Sequence, residues 1–223
     1  MRIPIPLTGR SRIILAAVLA AVPGLTAQEP VSYTLSISHD STEIGQEVVR
    51  LQPAAAGLPA TTLTGTARYP AVRARVELTG VIERSGEGTL TGAQFDLQTP
   101  EHAWRTYVQA GARRLTVRTA TEGRESAREY PFDPRTVVLD DSLFTPWIAV
   151  AALAGPRKTT IRAIWPRTGT RGELTLERSS ATDGGTLVRV TGAASAEIES
   201  GRNGQLVRVI LPARGLTATV ATP

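Results

Sequence analysis

Apolar and polar residues alternate without interruption from Val31 to Ser38, which places one set of side chains on a dry face and the other in water. His39, Asp40 and Ser41 supply turn chemistry, and a second strand returns over Thr42 to Leu51 around Gly45. A small-residue loop from Pro53 to Pro59 follows, then strands over Thr61 to Tyr69 and Ala71 to Arg84. In the latter run Val72, Ala74, Val76 and Leu78 share one face, and Arg73, Arg75, Glu77 and Thr79 share the other. Gly80 interrupts that alternation, as a bulge or bend would. Further runs cover Thr89 to Gln98, Ala103 to Gln109 and Arg113 to Ala120. Later ones cover Thr159 to Trp165, Gly172 to Arg178, Thr186 to Thr191, Ser195 to Ser200, Gln205 to Leu211 and Leu216 to Ala221. Turn residues punctuate these runs at Ser85–Gly88, Asp183–Gly185 and Gly201–Gly204. The pattern predicts about a dozen antiparallel strands in one all-β domain over residues 28–223.

One segment departs from period two. Thr145 is placed as an N-cap, Pro146 as the first helical residue, and Gly155 and Pro156 as the stop, which predicts a helix over residues 146–154. Asp140 and Asp141 precede it, where a helix dipole favours negative charge. No residue from Trp147 to Ala154 is polar, so burial on every side is expected. Ile148→Ala or Leu153→Ala is then expected to cost about 2–5 kcal/mol. The economical architecture is a curved antiparallel sheet, or half-barrel, wrapped around this short apolar helix.

The N-terminal segment reads differently. Arg10 and Arg12 precede an apolar run from Ile13 to Val22, followed by Pro23-Gly24 and by the small residue Ala27. This is the layout of a secretory signal peptide over residues 1–27, cleaved after Ala27. The expected destination is the periplasm or the cell exterior. The run is shorter than the ~20 apolar residues of a spanning helix, and no second long apolar run exists, so the mature chain is not expected to span a membrane.

Composition narrows the chemistry. The chain of 223 residues is 41% hydrophobic and 20% charged, within the range of a globular domain. It has no cysteine, which excludes disulfides, thiolate metal sites, cysteine nucleophiles and lipobox lipidation. The net charge of +5 falls to +2 once Arg2, Arg10 and Arg12 leave with the signal segment. The remaining arginines are interleaved with acids, as in Glu122 to Glu125, so nucleic acid is not an expected partner. Nothing in the pattern specifies an oligomeric state.

Three stretches carry a resemblance: Glu43-Ile-Gly45 in the early strand pair, Val138-Leu-Asp-Asp141 leading into the apolar helix, and the final strand from Gly204 to Pro212. Together with the overall plan, they make the chain similar to exported bacterial proteins built as a curved antiparallel sheet around a helix. The best understood of these are the lipoprotein carriers of the Lol pathway. The resemblance implies a hydrophobic cavity for acyl chains or another apolar ligand. The missing cysteine departs from the lipid-anchored receptor of that pathway.

Candidate chemistry is sparse. Asp140, Asp141 and Ser142 are adjacent, but neighbours on a strand point to opposite faces and do not form an acid dyad. His39, Asp40 and Ser41 read as a polar turn, and no Gly-x-Ser-x-Gly elbow exists. His102 stands some sixty residues from the other histidine and reads as a strand-entry residue, so no metal or other cofactor is expected. Trp104, Tyr107, Trp147 and Trp165 are core or pocket aromatics, and the strand arginines Arg73, Arg75, Arg114 and Arg118 form a solvated face. Three functions follow: an envelope protein binding a lipid or other apolar ligand, a packed structural module, or a hydrolase with a scattered Asp/Ser/His site. For the first, a gap in the sheet would be lined by Trp147, Val150, Leu115 and Val117. Intact mass of protein recovered from the cell envelope is expected to show a chain starting at Gln28, and a membrane-embedded species starting at Met1 would refute cleavage.

Overall fold

The computed structural model describes residues 30–53, 60–70 and 77–221. The signal segment 1–27, loop residues 54–59, and residues 71–76 with Arg73 and Arg75 lie outside the described residues. The first half of the chain gives β1 (Val31–His39), β2 (Thr42–Gln52), β3 (Ala60–Arg68), β4 (Glu77–Ser85), β5 (Leu90–Gln98), β6 (Ala103–Ala110), β7 (Arg114–Thr121) and β8 (Arg124–Pro131). The short β9 (Val137–Val138) and helix α1 (Thr145–Ala151) follow. The second half gives β10 (Thr159–Trp165), β11 (Thr170–Ser180), β12 (Thr186–Gly192), β13 (Ala196–Ser200), β14 (Leu206–Leu211) and β15 (Leu216–Val220).

All fifteen strands form a single open, curved sheet in the order β8-β7-β6-β5-β4-β3-β2-β1-β15-β14-β13-β12-β11-β10-β9. Every pairing is antiparallel except β9 with β10. The chain thus meanders outward from β1 to one edge, jumps to the opposite edge at β9, and meanders back to β15 beside β1. That jump dictates the curvature. Fifteen strands at about 4.8 Å would span roughly 65–70 Å if flat. The residues between Pro131 and Val137 reach only about 20 Å when extended. The two edges must therefore approach one another. Midway along β8 the Arg128 guanidinium lies against Gly169 in the turn between β10 and β11.

Residues facing inward, among them Leu35, Ile37, Val49, Leu63, Leu78, Ile82, Leu115 and Val117, join α1 in one core cluster. The outward positions pair across strands. Asp96–Arg105 (3.0 Å), Glu197–Arg189 (3.2 Å) and Glu199–Arg208 (2.5 Å) are each directly opposite residues. These exposed pairs are screened by water and salt and matter more for register than for stability. This cross-strand pairing accounts for the interleaving of arginine with acid in the sequence.

Two expectations need correction. Gly80 is not a bulge: it sits in continuous register opposite Gly65 of β3 and Phe95 of β5. The irregularity in the β4–β5 ladder falls between Glu83 and Arg84 instead. Gly65 and Gly80 form a bare window through which the entry to α1 touches the sheet. A Cβ on Gly80 would stand 2.8 Å from Leu143, and one on Gly65 would collide with the Thr145 side chain. The helix is also shorter than predicted, ending at Ala151, with Ala152 and Leu153 in a closing turn. Its burial is one-sided. Trp147, Ala149 and Val150 are buried, Ile148 and Leu153 are half-buried, and Ala152 is exposed. An all-apolar run exposes part of its circumference because the sheet does not close over it.

The burial pattern relocates the costly truncations. Leu143→Ala and Val150→Ala are expected to lose about 2–5 kcal/mol, and Leu153→Ala less than about 2 kcal/mol. Gly80→Ala, which overpacks the window, is expected to lose about 1–3 kcal/mol. Urea midpoints followed by circular dichroism test the ranking, and equal losses at Leu143 and Leu153 would contradict it.

Candidate functional site

The entry to α1 is organised by a carboxylate from a distant strand. Glu47 of β2 is fully buried, and its Oε2 accepts from the Phe144 N–H at 2.7 Å. Its Oε1 accepts from the Thr145 N–H at 2.9 Å and from the Thr145 hydroxyl. The expected Thr145 cap is thus replaced: Phe144 occupies the N-cap without a side-chain bond, and Glu47 takes up the first free N–H groups. Asp140 and Asp141 do not serve the helix dipole either. Asp140, 6% exposed, pairs with Arg167 at 3.0 Å and accepts from the Ser142 N–H, while Asp141 pairs with Arg214 at 3.2 Å. Tyr69 donates to the Ser142 carbonyl at 2.5 Å and closes the network. Burial pushes the Glu47 carboxyl above its ordinary range, against the lowering by its hydrogen bonds. Burial likewise raises Asp140, against the pull of Arg167. A protonated Glu47 loses no partner, since its proton can donate to the Thr145 hydroxyl while both N–H contacts remain.

Clefts lie elsewhere: one of about 630 Å³ on the outer face of β2 and β3, bordered by Val48, Arg50, Thr64 and Arg68, and others around the rim. At the seam between the sheet edges, a mostly apolar cleft of about 410 Å³ is lined by Tyr130 and Pro131 of β8 and by Thr136 before β9. Arg162, Ala163 and Ile164 of β10 and Arg171, Gly172 and Glu173 of β11 complete it. A second cleft of about 390 Å³ lies beside α1 under Trp147, Trp165, Leu211 and Ala213, flanked by Asp141 and Arg214. Next to the helix entry the core is tightly packed: the space between Leu78, Phe95, Asp140 and Leu143 holds about 10 Å³.

Of the sequence-predicted residues, Trp147 lines the second cleft, at 4% exposure, and its indole N–H has no partner among the described residues. Val150, Leu115 and Val117 are buried in the core cluster. Leu115 stands one strand inside the seam, directly opposite Tyr130 in the β7–β8 ladder, and Val117 is opposite Arg128. The sequence pattern marks no strand over residues 124–131 because β8 has no alternation: seven of its eight residues, all but Tyr130, are exposed. Those charges guard an edge strand against pairing with other chains.

No family model, curated protein or solved structure matches this chain.

His39 and Asp40 lie in the β1–β2 turn, with Asp40 and Ser41 both at positive φ, the two central positions of a tight hairpin. His102 is exposed ahead of β6, its N–H donating to Thr99 Oγ1 at 3.0 Å. Of the solvated-face arginines, Arg114 pairs with Glu129 at 2.7 Å. Among the described residues no cluster of metal-ligating side chains occurs, and no helix is long and apolar enough to cross a membrane. Glu47 and Arg84, which the sequence reading missed, share one signal. Each is a charged residue in the inward phase of its strand, alongside Val49 for the first and Leu78 and Ile82 for the second.

The raised carboxyls predict the pH dependence of stability. Between the ordinary carboxylate range and the raised native value, the folded state holds more protons than the unfolded chain. Stability therefore falls as pH rises above about 4.5, the ordinary Glu value, through the native range of Glu47 and Asp140. Melting temperatures between pH 4 and 8 are expected to decline over that window. Glu47→Ala should flatten the decline and cost about 2–5 kcal/mol by stranding two helix N–H groups. An unchanged slope in that variant would refute the assignment.

Proposed function

We propose that the chain is an exported, non-enzymatic protein of the cell envelope that binds a lipid or other apolar ligand in the seam cleft. The cleft between β8 and β10–β11 is the observation that carries this reading. Its volume falls in the range of small-molecule sites. It lies where the sheet has no ladder to close it, so widening it breaks no strand pairing. The interior does not offer the alternative, because the inward faces of the sheet and α1 already fill it. A ligand chain of about a dozen carbons gains roughly 10 kcal/mol at about 0.8 kcal/mol per buried CH₂. That gain competes with the roughly 4–15 kcal/mol cost of association. The filled core also supports a second reading, a packed β module that acts through its outer faces and holds no ligand.

Calorimetric titration with dodecanol, alongside native mass spectrometry of the purified protein, separates the two. The first reading expects saturable binding of one ligand per chain with a negative heat-capacity change. Pro131→Trp, which fills the cleft from its exposed rim, is expected to abolish it. Absence of both binding and co-purifying lipid would leave the packed module.

A further inference from the structure

Resting on the reading of the seam cleft as a ligand site, we infer that its ligand is an amphiphile with an anionic head group. The chain lies along Tyr130, Pro131 and Ile164 and the head group on Arg162 and Arg171, with Arg84 behind Thr136. Three observations carry this.

The first is the unspent charge at the rim. Elsewhere on the outer face Arg105, Arg114, Arg189 and Arg208 are each held by a carboxylate, while Arg50 and Arg118 have none among the described residues but border no apolar cleft of the seam. Arg162 stands opposite Glu173 in the β10–β11 ladder, the same arrangement that joins Arg189 to Glu197, yet no ion pair forms. Arg171, opposite Ile164, has no carboxylate partner among the described residues either. Period two puts Arg162, Ile164, Arg171 and Glu173 on one face, so both guanidinium groups and an apolar side chain border the same space.

The second is Arg84. It is 8% exposed on the inner face of β4 and meets only carbonyls: Nη1 donates to Gly88 at 2.7 Å and Nη2 to Thr136 at 3.4 Å. Its Nε has no partner among the described residues. Burial draws its pKa down to about 10, so it stays charged at neutral pH. A buried charge without a counter-ion is costly. Thr136, whose carbonyl it holds, is itself a wall of the cleft, so the field of Arg84 acts through a low-dielectric layer onto the bound ligand.

The third is the balance of signs. Glu173 cancels one of the three charges, and the remainder favours an anion over a neutral or cationic head group. The same carboxylate sets the limit: directly opposite Arg162, it weakens that contact, so Arg171 carries the larger share of the head group.

Matched twelve-carbon ligands test this: dodecanoate, dodecanol and dodecyltrimethylammonium, titrated at low and moderate salt. Dodecanoate is expected to bind about tenfold tighter than dodecanol, the worth of one charge-assisted contact, and the cation weakest. Added salt should narrow the gap. The double variant Arg162→Gln with Arg171→Gln should bring dodecanoate down to the level of dodecanol. Arg118→Gln with Arg178→Gln, both exposed and outside the cleft lining, removes the same two charges and should leave the gap intact. Dodecanol and dodecanoate binding equally would overturn the anionic ligand while leaving the cleft as an apolar site, and a gap that survives the double variant would overturn the placing of the head group on Arg162 and Arg171. Binding of none of the three would overturn the cleft itself.

Discussion

Everything in this fold hangs on how one short helix is held against a sheet far too wide to stay flat. The hold is a carboxylate: Glu47, buried in β2, receives the first N–H groups of α1 through the window left by Gly65 and Gly80. A seven-residue helix has little stability of its own, and half of its N-terminal donors would otherwise be buried without partners. The glycine pair lets the entry chain approach the sheet backbone closely enough for Glu47 to reach it. Leu143 then drops into the space that a Cβ on Gly80 would occupy. Core packing and polar satisfaction therefore meet at one point.

Around that point the sheet curls, because a short strap joins its two edges. Phe132 to Thr136 carry the chain from β8 to β9, tied by the Phe132 N–H to the Arg113 carbonyl and by Arg84 to Thr136. The ladder nevertheless stops at β8 on one side and β9 on the other. A closed barrel would have paired these edges. Here they are left as a guarded charged strand and a two-residue stub, with the seam cleft between them. The functional reading follows from this incomplete closure: the seam cleft opens where the ladder ends, and Arg162 and Arg171 border it without a carboxylate partner among the described residues.

Much of this was legible in the chain. Period-two alternation gives the strands because the alternation is the physics of a half-buried sheet, and the apolar run after Thr145 marks the helix by breaking that period. The legible part ends where a residue obeys a distant partner. Thr145 looks like a cap, but Glu47, ninety-eight positions away, does the capping. Gly80 looks like a bulge, but it makes room for Leu143.

By itself, the sequence determined an all-β chain with one helix, an outer face of crossed arginines and acids, and no cysteine chemistry. Those are local or compositional properties, and each needs only a residue and its near neighbours. Tertiary structure alone decided that the sheet runs to fifteen strands with β8 as its edge, since an exposed charged strand is held by its neighbour and not by a dry face. It alone placed Leu115 one strand behind the seam and set Tyr130 at the opening, and it alone left Arg84 buried without a counter-ion. Distances across a curled sheet depend on how many strands lie between two residues, and no local pattern counts them.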